Sequence, residues 1–251
     1  MTVAHEREEM EPGADLARMT LVEHLGELRT RLVRAVLAVA VGAVLGFAVA
    51  NRVLDFLVNP YCEAKQGDDC RLLAIDPLEG FTTRIKIALF VGATLAAPVV
   101  LWQIWRFITP ALHKNEKKYA IPFIVASMLL FVGGAALAVL TFPKALDFLI
   151  AVGGPNLVPQ FSPAKYLNLY LKVVIGFGIS FEFPIVLVFL QLVRAVTPRQ
   201  LGRMRRGAIV GIVIFAAVIT PSQDPITLFA MAGPMYLLYE VSILIGRLLR
   251  R

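Results

Sequence analysis

The feature that most constrains this chain is a series of apolar runs long enough to cross a bilayer. A helix needs roughly 20 mainly apolar residues to span about 30 Å of hydrocarbon. Leu32 to Ala50, Ile85 to Leu101, Ile121 to Phe142 and Val173 to Val193 meet or approach that length, the last interrupted only by Glu182. Two further runs are compressed: Ala208 to Thr220, and Ile226 to Gly246, which Glu240 interrupts. At about 1.5 Å per residue the first of these reaches only about 20 Å. The Pro221 to Pro225 connector permits only a tight reversal, so the two form a short helical pair beside which the bilayer thins. Six spans follow. The expected fold class is an all-α integral membrane protein of six transmembrane helices, the fifth and sixth short. Composition agrees, with 58% hydrophobic and 17% charged residues against about 45–50% and about 25% in soluble domains. The net charge of +7 does not indicate nucleic acid, because the basic residues are scattered between apolar runs and not gathered on one soluble face.

Helix starts are marked by a capping residue before proline at the first helical position: Asp76-Pro77, Ser162-Pro163, Thr197-Pro198 and Asp224-Pro225. Glu79 and Gln200 complete capping boxes with Asp76 and Thr197, and Thr20 with Glu23 makes a box without proline. These marks place helices at about 20–50, 77–108, 121–142, 163–193, 198–219 and 225–249. With the N-terminus inside, 17 of the 25 lysines and arginines fall in the N-terminal segment, the 106–118 and 194–206 connections and the C-terminus. Both termini are therefore expected in the cytoplasm, with Trp102, Trp105 and Tyr119 in an aromatic belt at the inner interface. Residues 1–19 read as a flexible acidic cytoplasmic tail and not a signal peptide; residues 20–251 form one membrane domain. Cys62 and Cys70 share the first outer loop, where an oxidising exterior permits a disulfide; two unpaired small residues are the alternative.

No zinc pair, phosphate loop or complete serine elbow is present. His5, His24 and His113 lie far apart in polar segments, so neither metal nor cofactor is expected. What stands out is acidic. Glu23, Glu27 and Glu116 are set among arginines and lysines, and Leu21, Leu25, Leu28 and Leu32 form one helical stripe beside Glu27. A carboxylate at an apolar face can take a guanidinium in a two-point fork; a solvated face with a local Glu27 to Arg31 pair is the plain alternative. Glu182 lies within the fourth span, where an ionised carboxylate costs at least about 2.5 kcal/mol and marks a functional candidate. Pro184 should kink the helix there. A neutral, hydrogen-bonded Glu182 that only packs helices is the alternative, and Glu240 can pair simply with Arg247.

The run His24-Leu25-Gly26-Glu27-Leu28-Arg29-Thr30-Arg31 resembles the N-terminal signature of the TatC family, the multispanning component of the twin-arginine protein translocase. The likeness continues through Phe107-Ile108-Thr109-Pro110-Ala111-Leu112-His113-Lys114-Asn115-Glu116, Ser180-Phe181-Glu182-Phe183-Pro184, Thr220-Pro221-Ser222-Gln223-Asp224 and Pro234-Met235-Tyr236-Leu237-Leu238-Tyr239-Glu240, in family order. It implies a six-helix, N-in and C-in protein of the bacterial cytoplasmic membrane. Such a protein binds twin-arginine signal peptides and moves folded cargo with TatA-type and TatB-type single-span partners and other copies of itself. It implies no enzyme activity. Glu27 and Glu116 would receive the two arginines, with Arg29, Lys117 and Lys118 keeping the carboxylates ionised. Leu25 and Leu28 would take the apolar part of the signal. Glu182 resembles the family's intramembrane glutamate, which serves partner contact or proton-linked assembly, and Glu240 and Met235 would be partner contacts. The spacing of Asp224 in the last outer turn and the two cysteines depart from the family pattern.

Two other classes compete. A small-solute or ion transporter using Glu182 fits six spans but calls for repeats or broken helices around a midplane site, and neither is evident. An intramembrane enzyme needs a nucleophile and base at depth, and the spans contain no histidine or cysteine.

Overall fold

The computed structural model describes residues 21–65, 72–108, 120–154, 160–220 and 224–249. The described residues are helical in eight pieces: α1 Leu21–Lys65, α2 Glu79–Ile108, α3 Ala120–Gly153, α4 Pro163–Ser180, α5 Phe183–Leu192, α6 Pro198–Arg203, α7 Arg205–Ile219 and α8 Pro225–Leu249. Helices suit hydrocarbon because they satisfy their backbone donors and acceptors within the segment itself. Five spans are long and apolar enough to cross: α1, α2, α3, the α4–α5 rod and α8. The 15-residue α7 is shorter, about 22 Å.

Two helices run further than the sequence marks suggest. α1 continues through Pro60 to Lys65, because Leu57 and Tyr61 are buried there and packing outweighs the proline. Pro60 cannot donate to the carbonyl four residues back. In the same loosened turn the Leu57 carbonyl accepts from Tyr166 Oη at 2.7 Å. α3 likewise passes Pro143, since Ala145 and Leu146 are buried. Two expected single helices are instead broken. The fourth span parts at Phe181–Glu182, one turn before the donor missing at Pro184, and the expected 198–219 helix parts at Met204.

Contacts define two ends. At one, Trp105 of α2 packs on Phe123 of α3 and Phe189 of α5 at ring separations of 5.1 and 5.8 Å. Gln191 Nε2 of α5 donates to the Ser242 carbonyl of α8 at 3.0 Å. Tyr239 Oη of α8 donates to the Leu201 carbonyl of α6 at 2.8 Å. Trp105 is therefore core and not belt, whereas Trp102 is exposed; Tyr119 lies outside the described residues. This is the end that carries Arg194, Arg199, Arg203, Arg205, Arg206 and Arg247, and we call it the basic end. At the other, Tyr61, Phe142, Phe161, Tyr166 and Tyr170 form an aromatic knot joining α1, α3 and α4.

Glu79 closes that far end in a way its spacing did not announce. It makes only half of the expected capping box: its carboxylate engages the Asp76 backbone, but Asp76 Oδ1 accepts from Leu78 N at 2.7 Å and not from Glu79 N. The Glu79 carboxylate also accepts from Ile75 N at 2.9 Å, Ala164 N at 3.0 Å and the Ser162 hydroxyl. It thus sits on the N-terminus of α4, where a negative charge is favoured. The caps at Ser162 and at Thr197 with Gln200 form as expected, and Asp224 accepts from Thr227 N at 2.7 Å.

α1 and α2 meet along glycines. A Cβ placed on Gly92 would lie 2.5 Å from Ala43 N, and one on Gly42 2.7 Å from the Gly92 carbonyl oxygen. Small residues that allow backbones to touch are how helices associate where lipid is as apolar as the side chains. Gly92→Ala is therefore expected to destabilise the protein by about 1–3 kcal/mol through overpacking. Gly133→Ala, where a Cβ meets nothing within 4 Å, should not. Thermal unfolding of the two variants in mild detergent checks this, and equal melting temperatures would refute the seam.

Candidate functional site

α1 begins with a mixed polar face at the basic end before the apolar run from Ala35 to Ala50. Glu27 and Arg31 are one helical turn apart, and Arg31 Nη2 donates to Glu27 Oε1. The local pair left open by the sequence is made, but not on a solvated face. Arg31 is only 9% exposed, and its Nη1 reaches across the α1–α2 seam to the Gln103 carbonyl at 3.4 Å. One guanidinium therefore fixes the Glu27 carboxylate against the last turns of α2.

The pairing is incomplete. Glu27 Oε2 is buried without a donor, and so is the side-chain Oε1 of Gln103. A buried acceptor left bare costs about 1–3 kcal/mol. Both unsatisfied atoms are acceptors, so the group that relieves them must donate and bring no acceptor of its own. A guanidinium has five N–H donors in a planar fork and no acceptor. The site is thus chemically suited to a second arginine beside Arg31.

Leu25, Leu28 and Leu32 run along α1 from this point and are all exposed, Leu25 by 63%. Arg29 is also exposed. The expected neighbour Glu116 lies outside the described residues, in the connection that leaves α2 after Ile108. The structure therefore brings Glu27, Arg31 and Gln103 together with the leucine stripe alongside. Gln103 was missed by the sequence reading, although an amide between Trp102 and Trp105 at the close of an apolar run is a visible anomaly.

The other acidic candidates sit elsewhere. Glu182 occupies the break in the fourth span as the residue preceding α5. Its Oε2 accepts from Ser127 Oγ of α3, and its Oε1 is buried without a donor. Ser127 was also missed. Its signal was a hydroxyl in the middle of the third apolar run, where a polar group must find a partner. Glu240 pairs not with Arg247 but with Arg205 at 2.7 Å, and accepts from Tyr236 Oη at 3.1 Å. An exposed pair of this kind contributes at most about 1 kcal/mol. Met235 is 1% exposed and faces a cavity of about 260 Å³ shared with Phe183, Ile212, Phe215 and Tyr239. As placed, it is interior to the fold. Cys62 is held in a disulfide, and Cys70 lies outside the described residues. Among the described residues no group of three metal-ligating side chains occurs.

Known proteins place this arrangement in context. Residues 23–234 match the family model described as Sec-independent protein translocase protein (TatC). The relative of that name from Aquifex aeolicus is 42% identical over 236 residues, covering 93% of this chain and 97% of its own. Its counterpart from Frankia casuarinae is 39% identical over 240 residues, and this chain spans 66% of that longer protein. A solved structure described as the twin-arginine translocase receptor TatC is 40% identical and superimposes with a TM-score of 0.75. It matches 91% of this chain and 100% of its own.

Proposed function

Because the chain belongs to the TatC family of Sec-independent protein translocase proteins, we propose that its basic end is the receptor surface for twin-arginine signal peptides. It is a multi-pass membrane component of a protein translocase. It works by binding and catalyses no reaction of its own. The observation that carries the reading is the Glu27 carboxylate, oriented through one oxygen by Arg31 and left with the other buried and without a donor. An arriving guanidinium completes an Arg–Glu–Arg arrangement with charge-assisted hydrogen bonds. Glu116 takes the second arginine of the pair, and the exposed Leu25 and Leu28 receive the apolar part of the leader. Arg29, with Lys117 and Lys118, keeps this surface net positive.

The chain sits in the cytoplasmic membrane with both termini inside, as the distribution of its basic residues favours. α7 completes six spans, with a tight outer turn before α8. Folded cargo crosses with single-span TatA-type and TatB-type partners and with further copies of this chain. Glu182, half-buried at a helix break with one oxygen lacking a donor, serves these later contacts and not signal binding. Glu240 lies at the surface for partner contact, and Met235 joins only if the helices around its cavity part. Cys62 and Cys70 are bridged to each other.

Three outcomes follow. Glu27→Ala or Glu116→Ala abolishes site-specific crosslinking of a twin-arginine signal peptide while membrane insertion, read by protease protection, is unchanged. Unaltered crosslinking in both variants would sink the receptor assignment. Gln103→Leu, which removes an acceptor at similar volume, weakens peptide binding. Hydrogen bonds to charged groups are worth about 1.5–3 kcal/mol, or roughly 10- to 150-fold in Kd. A peptide with lysines for arginines loses less, so the preference for arginine narrows; an equal loss for both peptides would make Gln103 merely structural. Glu182→Gln leaves peptide Kd within about twofold and lowers the transport rate in inverted vesicles, and an unchanged rate would remove Glu182 from the later steps.

A further inference from the structure

The basic end carries a second feature that signal binding does not use. Between residues 183 and 249 the described residues of this end include six arginines and one carboxylate, Glu240, which Arg205 and Tyr236 already engage. Among the described residues, Arg199, Arg203, Arg206 and Arg247 have no carboxylate within ion-pair distance.

The fold brings two of these arginines to one junction. The Tyr239 to Leu201 hydrogen bond pins α6 onto α8. Gly202 then lies beneath Arg247, whose Nη2 would be 3.8 Å from a Cβ built there. Arg199 and Arg247 consequently wall one cavity of about 580 Å³ with Thr197 and Pro198. Arg247 also forms the edge of a neighbouring cavity of about 540 Å³. The α8 wall of that second cavity is apolar at Leu237, Val241 and Leu244. With Leu248 these residues form a stripe at spacings of 4, 3 and 4, and all four are exposed.

We propose that the α6–α8 junction is a binding site for an anionic phospholipid. Arg199 and Arg247 hold the phosphate, and the acyl chains lie along Leu237, Val241, Leu244 and Leu248. Arginine suits a phosphate because its planar fork meets two oxygens at once, and basic pockets between membrane helices are where acidic head groups bind. Charge selects the occupant. A zwitterionic lipid would leave both guanidiniums without a net countercharge, and a soluble phosphate would leave the leucine stripe unused. The site needs only a charged leaflet beside it, so it stands whichever way the termini face. Its occupancy would anchor the otherwise short α6 and α7 region to the membrane surface.

The purified full-length chain in neutral detergent, titrated with phosphatidylglycerol and read by native mass spectrometry, tests this. Expected is one lipid retained at least about tenfold more tightly than phosphatidylcholine. The Arg199→Gln/Arg247→Gln double variant should lose this preference, and Lys144→Gln, at the far end, should keep it. The double variant should still bind the twin-arginine peptide, which separates failure here from failure of the receptor reading. Equal retention of both lipids, or retention unchanged in the double variant, would overturn the proposal. Displacement by millimolar inorganic phosphate would reduce it to a plain anion site. If lipid binds only after Glu6, Glu8, Glu9 and Glu11 are changed to Gln, the occupant is the chain's own acidic N-terminal segment and the lipid assignment falls.

Discussion

In hydrocarbon an apolar side chain gains nothing from leaving lipid for another helix, so helices hold together by close backbone approach and by hydrogen bonds between them. This protein relies on both. The Gly42–Gly92 contact lets α1 lie on α2 even though most of α1 is exposed to lipid. Polar ties then fasten the ends: Glu79 on α4, Tyr166 on α1, Gln191 on α8 and Tyr239 on α6. Arg31 belongs to the same set. It differs in that its tie leaves an acceptor bare, so one bond serves both to join α1 to α2 and to prepare the carboxylate.

Five spans were legible because about 30 Å of hydrocarbon writes itself into the chain as apolar length. Proline caps were legible because they act within a few residues, and Ser162, Thr197 and Asp224 behave as their spacing suggests. What failed to show was decided by distant partners. α1 overruns Pro60 because Tyr61 meets Phe161 and Tyr166, residues about a hundred positions away. Glu79 reaches beyond its local box to backbone donors at Ile75 and Ala164. A sequence window holds no information about such contacts.

The candidate site divides in the same way. Glu27 was visible as a charge beside a leucine stripe, and its pairing with Arg31 as a spacing of four. That Arg31 would be buried against the Gln103 carbonyl was not visible, since it depends on how tightly the glycine seam draws α2 in. Ser127 as donor to Glu182 and Arg205 as partner of Glu240 were hidden for the same reason. Each joins two helices whose relative rotation only the packed structure fixes.

The brevity of α7 has a consequence for the energy of anything polar that passes beside it. The work of carrying charge or bound water through oil scales with the depth of oil, and a 15-residue helix matches only about three quarters of an ordinary hydrocarbon slab. With α7 as the sixth span proposed above, the dielectric wall would be narrowest along that flank, and a hydrated surface would meet its lowest crossing there.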